Sequence, residues 1–151
     1  MKNIIFVFSF LLSFISFTDN YAQTVVKFDK DKFQRNLIGQ HGMTLQWISW
    51  DFRGIVKITE EDKVLKIKGE QKSKDGKGDY VSIDGALEVI SDRELKFTGK
   101  ITTKIHYNNG GNPCEKDGVH TFKRTGTRKY FRLQEMQNCD GVVVDYVDLY
   151  F

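Results

Sequence analysis

Hydrophobic and polar positions alternate along most of this chain, from about residue 43 to its end. Met43 and Leu45 are separated by a threonine, and Leu95 and Phe97 begin the longest run of this kind. Strict alternation is typical of β-strands that bury one face. Turn-forming residues separate the runs. The pattern predicts eight strands, at residues 43–50, 54–60, 63–70, 79–90, 94–107, 118–125, 128–137 and 142–151.

One short helix is predicted before the first strand. Asp29 or Asp31 can serve as its N-cap, because a carboxylate there accepts hydrogen bonds from the first free backbone N–H groups. Phe33 and Leu37 are four residues apart and therefore lie on one face of the helix. Gly39 is expected to end it.

A two-residue loop at 126–127, with glycine in its first position, predicts a type II′ hairpin. This turn pairs Phe122 with Phe131. Continuing the same register outward places Cys114 opposite Cys139, although the cysteines were not used to choose it. Two cysteines in an exported chain most simply form one structural disulfide. The sequence therefore predicts a Cys114–Cys139 bridge.

A three-residue loop at 139–141, ending in glycine, predicts the last hairpin. It pairs Leu133 with Val147 on the apolar face. It also sets Glu135 beside Asp145, an unfavourable pair unless the strands fray there or hold a cation.

Two further expectations concern the middle of the chain. A turn at Glu61–Asp62 pairs Ile58 with Leu65, and Gly85 is expected to mark a bend or bulge within its strand. The Glu70–Asp79 segment has glycines, charged residues and no large apolar residue, and it is predicted to be a mobile loop.

Eight sequential antiparallel strands most economically close into an all-β, eight-stranded, up-and-down barrel, with a two-sheet β-sandwich as the alternative. In topology, size and the helical turn leading through Gly39 into the first strand, residues Leu37–Phe151 resemble the lipocalin-like (calycin) barrels. The lipocalin Gly-x-Trp motif has no counterpart here, because His41 follows Gly39 two places on. The resemblance implies an architecture and no particular binding residues.

Residues 1–22 are typical of a signal peptide. Lys2 supplies the positive start, Ile4–Phe17 is an apolar run, and Ala22 offers a small residue for cleavage. A retained membrane anchor is the alternative, but the run of about 14 residues is shorter than the roughly 20 that a spanning helix needs. We expect export to the periplasm or the extracellular space, and a single domain at 23–151.

The formal net charge is +3, and basic residues are interleaved with acidic ones. Nucleic-acid binding normally requires basic residues clustered on one face, so no nucleic-acid partner is expected. Nothing in the spacing of the histidines indicates a metal site, and no Ser/His/Asp or Cys/His arrangement, phosphate loop or metal-binding helix motif is present. The carboxylates of Glu135 and Asp145 could be imagined as a glycosidase pair, but two carboxylates alone are weak evidence. We expect a monomeric protein that is not an enzyme. The isolated histidines are His41, His106 and His120.

Glu135 and Asp145, together with Asp140, could supply oxygen ligands to a calcium ion. A solvated hairpin end, with no metal, is the simpler interpretation and the one that we adopt.

Five polar and aromatic residues alternate along the last two predicted strands. If they face inward, Arg132 and its neighbours could hold an anionic or aromatic ligand through charge-assisted hydrogen bonds and cation–π contacts. If they face outward, they form a surface ladder. Outward is favoured, because the intervening residues are better core candidates. The five are Tyr130, Arg132, Tyr146, Asp148 and Tyr150.

The leading functional hypothesis is non-catalytic binding of a small apolar ligand in the barrel mouth. The candidate lining could equally fill a solid core, since eight strands enclose little space. The alternative is a protein-binding module, such as an inhibitor or envelope-associated factor, that uses the Glu70–Asp79 and Asn108–Gly118 loops. The candidate ligand-binding residues are Trp47, Phe97, Ile101, Phe122, Phe131, Tyr130 and Arg132.

Overall fold

The computed structural model describes residues 27–151 and shows a closed barrel of eight antiparallel strands. Each strand pairs with the next along the chain, and the last pairs with the first. The predicted all-β barrel is confirmed over the two-sheet sandwich. The predicted signal segment, 1–22, lies outside the described residues. The elements are α1 (Lys30–Leu37), β1 (Gly39–Leu45), β2 (Gly54–Glu61), β3 (Val64–Lys72), β4 (Tyr80–Ser91), β5 (Glu94–Lys104), a 3₁₀ turn (Asn109–Gly111), β6 (Cys114–Lys123), β7 (Phe131–Leu133) and β8 (Val147–Tyr150).

The predicted helix is confirmed, with Asp29 as its N-cap. The Asp29 carboxylate accepts a hydrogen bond of 2.9 Å from the backbone N–H of Lys32, and a cap of this kind contributes about 1 kcal/mol. Leu37 is buried and Phe33 packs against the barrel core. Gly39 does more than end the helix, because β1 begins at this residue, four positions before the predicted start.

The interior of the barrel is filled by the inward-facing residues of all eight strands. Alternation assigned most of them correctly, including Leu95, Phe97 and Ile101 on β5. The strand predicted to reach residue 107 is shorter than expected: β5 ends at Lys104, and Tyr107 is exposed beyond it. Burying a large apolar side chain contributes about 1.5–3 kcal/mol, so this core is the main source of stability.

Three glycines lie side by side across the central strands: Gly85 pairs with Gly99, which pairs with Gly118. The ladder is continuous at Gly85, and the irregularity in β4 lies between Val89 and Ser91. The prediction of a bulge at Gly85 is therefore wrong. A Cβ there would come within 2.6 Å of the Phe97 ring. The absence of a side chain makes room for that ring.

Gly85→Ala is expected to lower the free energy of unfolding by about 2 kcal/mol, because the new methyl group overpacks the core beside Phe97. Urea unfolding measures the change. Glu88→Ala, at an exposed position of the same strand, is the control and should cost less than about 1 kcal/mol. An equal cost for the two variants would contradict the close packing at Gly85.

Two predicted hairpin registers are wrong by two residues. In β2–β3, Ile58 pairs with Ile67 and not with Leu65. The reason lies in the turn, where Asp62 and Lys63 both have positive φ. Two consecutive residues of this kind form the tight connection of a hairpin. The turn centre is thus one residue later than predicted, which shifts every pair by two.

The β6–β7 hairpin shows the same kind of error. The predicted tight turn exists, because the N–H of Arg128 donates to the carbonyl of Thr125. The strands do not begin at its edges: β6 ends at Lys123 and β7 starts at Phe131. Phe122 consequently pairs with Leu133 and not with Phe131.

The predicted Cys114–Cys139 disulfide is confirmed, with the two Cα atoms 5.4 Å apart. The register used to predict it was nevertheless wrong. The residues after β7 form no ladder with β6 and run irregularly to Cys139. That irregular course compensates for the two-residue error.

The last hairpin was predicted with the correct register, since Phe131 pairs with Leu149 and Arg132 with Asp148. Its strands are much shorter than predicted, at three residues in β7 and four in β8. The 134–146 segment between them is irregular apart from one isolated bridge, Gln137 with Val144.

Candidate functional site

Four of the seven residues predicted to bind a ligand belong to the packed core of the barrel: Phe97, Ile101, Phe122 and Phe131. Phe97, Ile101 and Phe122 have no accessible surface, and Phe131 has 2%. A cavity large enough for water would expose the atoms beside it, so no such space adjoins Phe97, Ile101 or Phe122. Trp47 lies beyond the end of β1 and is half-buried against the core.

Tyr130 and Arg132 lie on the outer face of the barrel, as the alternation favoured. Arg132 Nε and Nη2 donate to the two carboxylate oxygens of Asp148, each at 2.7 Å. This is the bidentate geometry of a strong ion pair. Asp148 is fully buried and the Arg132 side chain is only 13% exposed. A surface ladder was expected to leave this pair in solvent, so another segment of the chain must cover it.

The covering segment is 46–53, between β1 and β2. Trp50 and Arg53, which project from this segment, both lie over outward-facing residues of the last two strands. The Arg132 guanidinium lies 5.8 Å from the centre of the Trp50 ring, and the Arg53 guanidinium lies 3.7 Å from the Tyr150 ring centre. Trp50 itself is 49% exposed.

Two glutamine amides, one buried and one half-buried, hold this segment in place. Gln71, 1% exposed, accepts the N–H of Leu45 and donates to the carbonyls of Ser49 and Phe52. Gln46 donates to the carbonyl of Val144 and accepts the N–H of Tyr146, each at 2.6 Å. These bonds join 46–53 to β3 and to the segment that leads into β8.

Gly42 allows the close approach of Arg53. A Cβ at Gly42 would come within 2.6 Å of Arg53 Cδ. Because Gly42 pairs with Tyr150, the arginine stem crosses β1 and its guanidinium stacks on the neighbouring ring.

Aromatic rings surround the Arg132 guanidinium. Its centre lies 4.2 Å from the Tyr146 ring and 5.2 Å from the Tyr130 ring, within the range of cation–π attraction. Tyr130 also contacts Tyr150, and Arg128 lies 5.7 Å from the Tyr130 ring. We call this surface the arginine–aromatic face. Its members are Trp50, Arg53, Arg128, Tyr130, Arg132, Tyr146, Asp148 and Tyr150.

The two charges at the centre of the face influence each other. Burial raises the pKa of the Asp148 carboxyl, and the hydrogen bonds from Arg132 oppose that rise. The hydrogen bond to Asp148 raises the pKa of the Arg132 guanidinium, and burial opposes it. The guanidinium is therefore charged at any physiological pH and is held in one orientation.

The predicted pairing of Glu135 with Asp145 is wrong. Asp145 is fully buried and accepts hydrogen bonds from the Trp47 indole N–H, Thr103 and Asn138, at 3.1, 2.7 and 2.7 Å. Glu135 accepts a backbone N–H of β6. The carboxylate of Asp145 thus fixes two irregular segments at one end of the barrel.

No three or more of the histidines, cysteines and carboxylates at 27–151 form a group that could hold a metal ion. The ring of His41 donates to the last carbonyl of α1, and His106 contacts the buried Asp79 carboxylate at 2.7 Å. His120 is buried and stacks on Phe97.

Sequence reasoning identified five members of the face but missed Trp50, Arg53 and Arg128. Trp50 was placed in a strand. Gln46 and Gln71, which hold the covering segment, carried no recognisable signal, since a glutamine that bonds distant backbone groups looks like any other polar residue in a sequence.

Comparisons place the chain among known proteins. A relative from Pasteurella multocida (strain Pm70), described as an uncharacterized protein, is 43% identical over 121 residues, which cover 80% of this chain and 76% of the relative. No solved structure matches, so the lipocalin resemblance stays a prediction. Within 27–151, no helix is long and apolar enough to cross a membrane. The PM1083 family matches residues 23–151, and the chain belongs to this family.

Proposed function

We propose that this protein is an exported, non-catalytic binding protein that engages a protein partner through its arginine–aromatic face. The observation that carries the proposal is the half-exposed Trp50 beside an arginine that Asp148 and three tyrosine or tryptophan rings hold in place. Tryptophan, tyrosine and arginine are the residues that most often dominate the binding energy of protein interfaces.

Rigidity strengthens this proposal. Binding costs about 0.5–1.5 kcal/mol for each flexible side chain that becomes ordered. Arg132 is already fixed by Asp148, and Arg53 is already stacked on Tyr150. A partner would therefore meet a preorganised surface, and less of the interaction energy would be lost to ordering.

A carrier of small apolar molecules has less support. Such pockets typically enclose about 300–1,000 Å³, whereas Phe97, Ile101 and Phe122 have no accessible surface. The loops first considered for partner binding are also shorter than predicted. Glu70–Lys72 belongs to β3, and Cys114–Gly118 belongs to β6.

Export rests on three features of the chain. The Cys114–Cys139 disulfide fits an oxidising compartment. The predicted signal peptide ends at Ala22, and the family match begins at residue 23. An envelope or extracellular partner is consistent with these features.

Photo-crosslinking in the exporting cell tests the proposed function. Benzoylphenylalanine is placed at Trp50 in one variant and at Ile90 in another. The two native side chains are 49% and 46% exposed, so Ile90 on β4 is a matched control. We expect one defined protein adduct at position 50, which weakens when Arg53→Ala is added. The same adducts at both positions, or an adduct at 50 that is indifferent to Arg53→Ala, would contradict the proposal.

A further inference from the structure

We infer that the partner presents an acidic segment, whose carboxylates bind the guanidinium groups of Arg53, Arg128 and Arg132. This inference rests on the proposed function and adds the chemistry of the partner. It follows from the state of three arginines on one face.

Arg53 is exposed, and the centre of its guanidinium lies over the Tyr150 ring, 3.7 Å from the ring centre. It forms no ion pair with any carboxylate at 27–151. Stacking occupies the planar surface of a guanidinium and leaves its N–H edges free. Those edges match the two oxygens of a carboxylate.

Arg128 is a second exposed arginine beside a tyrosine, although its guanidinium lies 5.7 Å from the ring centre, farther than that of Arg53. Its side chain is exposed beside Tyr130, and no carboxylate of the described chain pairs with it. It lies in the loop that precedes β7, so it extends the face towards the other end of the barrel from Trp50.

Arg132 adds a third donor. Asp148 occupies its Nε and Nη2. Nη1 makes no hydrogen bond within 27–151 and is not among the buried unpaired atoms. It is therefore accessible to solvent, at the centre of a ring of aromatic side chains.

The charges of the face favour an acidic ligand. The face carries three positive charges, on its arginines, and one negative charge, on Asp148. One further carboxylate, that of Asp51, follows Trp50 in the sequence and is exposed. Asp148 is already paired, and Asp51 pairs with none of the three. Two arginines thus lack a counter-charge from this chain, and an acidic segment would supply it.

An acidic protein explains the face better than a phosphate-rich surface does. Membranes and nucleic acids are normally bound by broad basic patches. Here the net charge is only +3, and several exposed lysines are neutralised by carboxylates on neighbouring strands. The half-exposed Trp50 and the tyrosines supply apolar contact area of the kind found in protein interfaces. Those lysine pairs are Lys68–Asp84, Lys96–Glu88 and Lys100–Glu115.

Binding of a fluorescent octaglutamate peptide to the purified mature protein tests the inference. An octaglutamine peptide is the uncharged control. We expect Arg53→Gln with Arg128→Gln to weaken octaglutamate binding by about tenfold or more, because two charge-assisted bidentate contacts are lost. The matched variant, Lys57→Gln with Lys63→Gln, removes two exposed positive charges elsewhere and should weaken it by less than about twofold. Arg53→Lys keeps the charge but loses the planar fork of the guanidinium. Its loss of octaglutamate affinity should lie between the losses in the double arginine variant and the double lysine variant.

Three results would overturn the inference. Equal binding of octaglutamate and octaglutamine is one, and equal losses in the arginine and lysine variants is another. The third is Arg53-dependent binding of a uronic-acid polysaccharide or of phosphatidylglycerol vesicles that exceeds binding of octaglutamate. In each case an Arg53-dependent protein adduct at position 50 would leave the proposed function standing, so the two failures are distinguishable.

Discussion

Replacing Asp148 with alanine is expected to lower the free energy of unfolding by about 4 kcal/mol. The substitution leaves the guanidinium of Arg132, 13% exposed, without the two 2.7 Å hydrogen bonds that neutralise it. Removing one partner of a buried ion pair costs about 3–5 kcal/mol, because the other charge stays desolvated. Urea unfolding followed by circular dichroism measures the change.

The control for this prediction replaces both partners. Arg132→Met with Asp148→Leu removes both charges and keeps most of the volume, so we expect it to recover most of the loss, to within about 1–2 kcal/mol of the wild type. Both variants should lose the position-50 adduct, since neither presents an oriented guanidinium at the centre of the face. A cost below about 1 kcal/mol for Asp148→Ala would show that the pair is effectively in solvent.

Removing the disulfide is expected to cost about 3.5 kcal/mol. The two cysteines are 25 residues apart. Closing a loop of that length lowers the entropy of the unfolded chain and so raises its free energy by about 3.5 kcal/mol at 25 °C. The variant is Cys114→Ala with Cys139→Ala, compared with the oxidised wild type in urea. The bridge also attaches the 134–146 segment to β6, where no ladder holds it. Backbone amides of 134–146 should therefore exchange hydrogen faster in the variant.

Reductant supplies the control for the disulfide. The reduced wild type should unfold at nearly the same urea concentration as the alanine variant, and the variant itself should not respond to reductant. An alanine variant as stable as the oxidised wild type would mean that the residues between Cys114 and Cys139 are equally restricted without the bridge.

The sequence predicted what depends on local patterns. Alternation identified the strands and most of the core, and Asp29 marked the start of the helix. The register of β7 and β8 was predicted correctly, although the 134–146 segment between them is irregular and contains only one isolated bridge. In β2–β3 the turn lies one residue later than predicted, at Asp62 and Lys63. Propensity alone could not choose between the two turn positions.

The site depended on contacts that no local pattern encodes. Arg132 and Asp148 were correctly paired on the outer face, yet nothing in the sequence indicated that 46–53 would fold over them. That fold depends on two side-chain amides, Gln46 and Gln71, which bond backbone groups about 20 to 100 residues away along the chain. Long-range hydrogen bonds of single polar residues leave no periodicity to detect.

The two tryptophans allow the most direct test of where this protein binds its ligand. Trp50 lies on the arginine–aromatic face, and Trp47 lies at the end of the barrel with its indole N–H on Asp145. Each gives one indole signal in a ¹H–¹⁵N spectrum, recorded during titration with octaglutamate and, separately, with 1-octanol as an uncharged apolar ligand. We predict that octaglutamate moves the Trp50 signal and that 1-octanol leaves both signals unchanged. A Trp47 signal that moves with 1-octanol, while the Trp50 signal stays fixed with octaglutamate, would contradict this prediction.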